Sequence, residues 1–178
     1  DGVPIRSYID KYKGYDLNQL TPQDLESLTK ELEPYKNDLM KIAIFDIIVL
    51  AQDRHPGNVL VSPSKKRAYA IDNEDIMPGR DADPPKNWHA TYLLVEGDTI
   101  PASIRTKLKN VTEEDFYAAF AGIKLDVIKS AWRRKKWIEK QTRMPSLVEL
   151  RGFHMGGERG KPSRESLGCT TCASGEEL

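Results

Sequence analysis

Gln52-Asp53-Arg54-His55-Pro56-Gly57-Asn58-Val59-Leu60-Val61 decides the fold once it is read together with what flanks it. Upstream, Leu39, Ile42, Ala43, Phe45, Ile47, Ile48, Val49 and Leu50 are too dense for a single apolar stripe, so the spacing predicts a helix buried on most sides. Pro56 and Gly57 forbid that helix to continue, and the loop they lie in is polar. Downstream, Asn58-Val59-Leu60-Val61 and Ala68-Tyr69-Ala70-Ile71 are two short β-prone runs joined by Ser62-Pro63-Ser64-Lys65-Lys66-Arg67, the pattern of a hairpin. The second run ends in Asp72-Asn73-Glu74-Asp75. Because a hairpin brings its two ends together, Asn58 and Asp72 are expected side by side at one edge of the sheet, with Asp53 held nearby by the loop.

Further out, Thr21-Pro22-Gln23-Asp24 reads as an N-cap, a proline in the first helical turn and an acidic third residue, and predicts a short helix to about Glu33. Pro34 should break it. Residues 73–98 hold Pro78, Gly79, Pro84, Pro85 and Gly97, which predicts a long loop with one helical turn near Trp88. Helix signals resume at Pro101 and at Thr112-Glu113-Glu114-Asp115. A long helix is then expected from Lys124 to Arg143, with Leu125, Ile128 and Trp132 on one side. Residues 151–178 are rich in Gly, Ser, Arg, Glu and Thr and are expected to form a disordered tail behind a lobe of residues 1–150. The expected class is α+β, mainly helical, with a short hairpin.

Composition excludes several functions. Lys plus Arg and Asp plus Glu balance at 27 each, so nothing in the overall charge argues for a nucleic-acid partner. The longest apolar run, Ile42 to Ala51, is interrupted by Asp46 and is too short to cross a bilayer. Two cysteines cannot staple a secreted framework, which favours a reducing, intracellular compartment, cytoplasmic or peripheral at membranes. Cys169-Thr170-Thr171-Cys172 is a lone pair without a second pair or well-spaced histidine, so zinc is not expected. The chain opens at Asp1 without an initiator methionine or a signal pattern, the expectation for a piece of something longer. One local feature stands out: residues 124–143 carry eight basic and two acidic side chains, a basic helix of the kind that meets anionic membrane surfaces.

The polar residues around the loop suggest chemistry. A carboxylate and an amide carbonyl are the oxygen ligands that magnesium takes, with phosphate oxygens and water completing its octahedron. Asn58 and Asp72 supply that pair. Asp53 is then free to orient or deprotonate a hydroxyl, the division of labour found in phosphoryl transfer.

Phe45-Asp46, Asp53 through Val61, and Ala70-Ile71-Asp72-Asn73, fourteen residues after Asn58, together resemble the catalytic loop and metal-binding segment of the phosphatidylinositol 3- and 4-kinase superfamily. The type II phosphatidylinositol 4-kinases are nearest, and actin-fragmin kinase and HipA-like kinases use related loops. The likeness covers about thirty residues. It implies the C-terminal lobe of a protein-kinase-like fold, with the hairpin carrying the metal site, that uses ATP and magnesium to phosphorylate a phosphatidylinositol lipid or a protein. It makes Asp53 the catalytic aspartate, His55 a transition-state contact, Asn58 and Asp72 the metal ligands, and Leu60 and Ile71 the floor beneath adenine.

The sequence departs from that family in two places. Asp72-Asn73-Glu74 lacks the usual third-position glycine, and nothing upstream of Asp53 supplies a Gly-rich loop or a Val-Ala-x-Lys run, so only the larger lobe is expected and catalysis by this chain alone should be negligible. Arg54 is expected to hold the loop by pairing with Asp53 or Asp72. The competing expectation is a degenerate lobe that binds partners without catalysis.

Overall fold

The structure is a computed structural model that describes residues 2–12, 17, 20–77 and 92–155. It is α+β and mainly helical, with one three-stranded antiparallel sheet. The chain divides into two units, Asp1–Ser146 and Leu147–Leu178.

In the first unit, β1 (Val3–Pro4) leads into α1 (Ile5–Ile9), whose Ile5 and Ile9 are fully buried. Helix α2 (Pro22–Leu32) starts where its cap dictates: Thr21 Oγ1 accepts from the Asp24 N–H at 3.2 Å, which satisfies one of the donors a helix start leaves open. At Pro34 the chain tightens into a 3₁₀ turn over Glu33–Tyr35 and then enters α3 (Lys36–Val49). Ten of the fourteen α3 residues are buried, as the dense apolar pattern predicts, and α3 packs against both the sheet and a later helix.

The hairpin forms as read. Strands β2 (Val59–Ser62) and β3 (Arg67–Ala70) pair in the register Val59↔Ala70, Leu60↔Tyr69, Val61↔Ala68 and Ser62↔Arg67. Successive side chains alternate between the two faces, so Val59, Val61 and Ala68 turn into the core while Leu60 and Tyr69 share the outer face. Asp38, near the start of α3, fastens the hairpin: it accepts from Arg67 Nε at 2.6 Å, from the Ala68 N–H at 3.2 Å and from Lys41 Nζ at 2.7 Å. Burial opposes ionisation of Asp38, but the hydrogen bonds from Lys41 and Arg67 outweigh it and hold the carboxyl below its ordinary pKa. Strand β1 completes the sheet through Val3↔Val61 and Pro4↔Leu60. The irregular composition near the N-terminus gives no sign of this strand, because two residues become a strand only by meeting β2.

Among residues 92–146, α4 (Ala102–Asn110) follows Pro101, and α5 (Glu113–Ala119) is capped by Thr112, whose Oγ1 accepts from the Asp115 N–H at 3.1 Å. Helix α6 (Leu125–Ile138) is shorter than the expected span of residues 124–143. Turns close it after Ile138, and Arg143 instead forms an isolated bridge with Thr99. Its inward face carries Val127, Ile128 and Ala131, while Trp132 lies against Phe116 at 5.2 Å. Leu125, expected on that inner side, is 56% exposed, because the buried face of the first turn is the one that carries Val127 and Ile128.

In the second unit, α7 (Leu147–Met155) runs five residues into the stretch expected to be irregular. The remainder of the expected tail, like the helical turn expected near Trp88, lies outside the described residues. Among the described residues no helix is long and apolar enough to cross a membrane.

Candidate functional site

The end of α3 sets the loop. Leu50 adopts a left-handed conformation at φ 55°, which turns the chain out of the helix, and the N–H groups of Leu50 and Ala51 both return to the Asp46 carbonyl. The carbonyls that a helix end leaves open find partners from distant elements. Arg134 Nε donates to Ile48 O at 2.8 Å and the Met77 N–H donates to Val49 O at 2.7 Å. The Gln52 N–H donates to Asp75 O at 2.8 Å, so the start of the loop is stitched to the segment after β3.

Arg54 is the hub. Its side chain is 1% exposed, and its donors are distributed over three pieces of chain. Nε reaches both Asp46 carboxylate oxygens at 3.1 Å, Nη1 donates to Asn58 O at 3.2 Å and Ile71 O at 2.7 Å, and Nη2 donates to Asn73 Oδ1. The expectation that Arg54 pairs with Asp53 or Asp72 is therefore corrected: its carboxylate is Asp46, on α3, and both loop aspartates are left to solvent. The reason is burial, since an interior guanidinium needs an interior counter-charge. Burial pushes the Asp46 carboxyl up to about 7, with Arg54 pulling in the opposite direction. Sequence reading included Asp46 in the resembling stretch but gave it no role, because an acidic residue within a helix signals nothing until its partner is known.

The 3₁₀ turn Pro56–Asn58 then presents the remaining polar groups. His55 Nδ1 accepts from the Gly57 N–H at 3.0 Å, which leaves the proton of a neutral imidazole on Nε2, 3.9 Å from Asp53 Oδ2. A Cβ at Gly57 would fall 2.8 Å from His55 Cε1, so a side chain there collides with the ring. Gly57→Ala is expected to turn the imidazole out of this position at little cost in stability. Broadened or shifted imidazole resonances with an almost unchanged melting temperature would show this, and an unmoved ring would refute it.

Asn58 Nδ2 donates to Asp53 O at 2.9 Å, so the amide is oriented and its carbonyl oxygen is the end left for a ligand. Across the hairpin the Ile71 N–H donates to Asn58 O at 3.0 Å, extending the ladder by one rung beyond β2 and β3. Ile71, and not Asp72 as expected, is therefore the residue opposite Asn58, and Asp72 is the next one along. Its backbone is left-handed at φ 52°, its side chain is exposed, and it makes no hydrogen bond or ion pair among the described residues. Asp tolerates this conformation better than most residues, but a non-glycine residue held there still costs on the order of 1 kcal/mol.

Asp53, Asp72, Glu74 and Asp75 are all exposed around this edge. Among the described residues no three His, Cys, Asp or Glu side chains converge as a metal-binding group. The geometry therefore leaves one oriented amide and one exposed carboxylate within a residue of the Asn58–Ile71 rung.

Beside this edge, the outer face of the hairpin is open and apolar. Leu60 and Ile71, expected to share a floor, do lie on one face, with Tyr69 directly opposite Leu60. Tyr69 is 41% exposed and Ile71 39%. Sequence reading left Tyr69 unassigned, although period-two alternation already puts it on the face of Ile71.

Comparison of the chain with protein-family models, with curated proteins and with solved structures found no match in any of the three.

Proposed function

We propose that this chain is the larger lobe of an ATP- and magnesium-dependent phosphotransferase that phosphorylates an alcohol on a lipid or a protein. One observation carries the reading: Asp72, on a strained left-handed backbone, keeps an exposed carboxylate without a partner among the described residues, one residue beyond the rung that ties Ile71 to Asn58, whose amide is itself pre-oriented. Strain of this kind persists where the surroundings over-determine it, and functional sites are where it collects.

Asn58 Oδ1 and the Asp72 carboxylate would hold magnesium, which supplies charge neutralisation between the phosphates of ATP. Leu60, Tyr69 and Ile71 offer an apolar surface for the flat adenine ring. Asp53 accepts the proton of the acceptor hydroxyl as its oxygen bonds to the γ-phosphorus and the bond to the β-phosphate oxygen breaks, releasing ADP. His55, with Nε2 protonated, donates to an equatorial phosphoryl oxygen. Arg54 does not meet substrate; it is a positioning residue that keeps the carriers of Asp53, Asn58 and Asp72 in register. Positioning and fixed charge supply most of the acceleration in such chemistry.

Manganese-ATP added to the isotopically labelled chain is expected to broaden the amide resonances of residues 53–58 and 71–73 selectively. Asp72→Asn should remove that broadening with the rest of the spectrum unchanged. Broadening spread evenly over all exposed carboxylates, or unaltered by Asp72→Asn, would reject the reading.

A further inference from the structure

Eight basic side chains between residues 124 and 143 do not act alike. Two are internal: Arg134 donates to Ile48 O, and Lys135 Nζ donates to Val111 O at 3.0 Å and to Glu139 at 2.6 Å. Burial lowers Arg134 to about 10, and its role is to close the end of α3. Once these are set aside, a different pattern remains. Lys129, Arg133 and Lys136 are exposed at i, i+4 and i+7 of α6, one face of a helix, and exposed Lys140 follows in the turn that closes it. Leu125, four residues before Lys129 and so on the same face, is 56% exposed, and Ile123 just ahead of the helix is 43% exposed. The two carboxylates of this helix and its closing turn offset part of that charge, since Glu139 pairs with Lys135 and Lys136 and Asp126 accepts, among the described residues, only from the Val127 N–H, but the exposed cations of this face outnumber them by four to two.

We propose that this face of α6 docks the protein on an anionic phospholipid bilayer, with the four cations over the headgroups and Leu125 and Ile123 entering the interfacial region. Charge complementarity names an anionic surface. The apolar pair at the end of the stripe names a bilayer in particular, because a nucleic acid or other polyanion offers such side chains no apolar phase, whereas a membrane interface does. The whole-chain charge is zero, so attraction must come from this stripe and not from a general positive field. The opposite face of α6 is committed to the core, so the helix lies on the membrane as part of the folded lobe and does not bury itself. This inference stands apart from the phosphotransferase reading and would survive its failure.

Sedimentation with sucrose-loaded vesicles tests it, using phosphatidylcholine alone and phosphatidylcholine with about one quarter phosphatidylserine. Binding is expected only to the second and should weaken as salt shortens the reach of the charges. Replacing Lys129, Arg133, Lys136 and Lys140 together by Gln should lower the partition coefficient at least tenfold, since each such cation near an anionic surface contributes about 1 kcal/mol. Ile123→Ser with Leu125→Ser should lower it severalfold while leaving the salt dependence intact. These positions are exposed, so unchanged circular dichroism melting is expected in both variants. Equal binding to neutral vesicles, or binding unaffected by the Gln substitutions, would overturn the proposal. Retention on heparin with no effect of the Ser substitutions on vesicle binding would also overturn it, in favour of an acidic macromolecule.

Discussion

Asp53→Asn, in a protein that carries both lobes, is expected to slow phosphoryl transfer by roughly 10²–10⁴-fold while leaving magnesium-nucleotide affinity nearly unchanged, since positioned proton acceptors contribute about that much. The side chain of Asp53 is exposed at the mouth of the loop, while its backbone carbonyl is what orients the Asn58 amide, and substitution of the side chain leaves that carbonyl in place. Asp72→Asn should divide its effects the other way. It removes one of the two proposed oxygen ligands and should abolish magnesium-dependent nucleotide binding, with loss of transfer following from that. Single-turnover kinetics beside equilibrium titration of a non-hydrolysable ATP analogue separate the two. If both substitutions weaken nucleotide binding alike, Asp53 is a metal ligand and the assignment of roles is wrong. If neither changes binding or transfer, the lobe is not catalytic.

The second large effect falls on Arg54. Arg54→Ala removes the only charged partner among the described residues for the Asp46 carboxylate and the donors to Asn58 O, Ile71 O and Asn73 Oδ1, all in one step. Breaking a buried pair from one side costs about 3–5 kcal/mol, because the remaining charge has neither water nor partner. Asp46→Leu with Arg54→Met should recover much of that stability, as apolar replacements of buried pairs often do, yet it should not restore transfer, because the carbonyls that fix Asn58 and Ile71 still lack their donor. Recovery of both would mean that Arg54 acts on stability alone.

This pair also gives a pH dependence whose sign can be checked. The folded-state pKa of Asp46, at about 7, lies above that of an unfolded aspartate, so folding favours its protonated form. The stability this group contributes is fully present below the unfolded pKa and is lost as pH rises through about 7. Urea midpoints measured at pH 5 and pH 8 should therefore fall with pH in the parent more steeply than in Asp46→Asn. A parent that gains stability over that interval relative to Asp46→Asn would show Asp46 ionised throughout.

How much of this was legible depended on the range of the interaction. Thr21 and Thr112 announce helix starts because the cap bond spans three residues. That Asn58 lies across from the end of the second strand was legible although Ile71 is thirteen residues away, because a hairpin translates distance along the chain into pairing across it. Tyr69 could have been read in the same way from the alternation along β3. Arg54 could not, since its choice of Asp46 over the nearer Asp53 is made by burial, and burial is a property of the assembled lobe.

The basic run of α6 shows the same division within one helix. Amino-acid order alone determined that a buried helix ends in a polar loop and that a hairpin follows, because periodicity and turn chemistry act over a few residues. Only the tertiary structure decided that β1 joins β2, that Asp46 and Arg54 bind the loop together, and that Arg134 and Lys135 turn inward while Lys129, Arg133 and Lys136 face out. Those outcomes depend on which surfaces exclude water once the elements are packed, and neighbouring residues in a sequence carry no record of that.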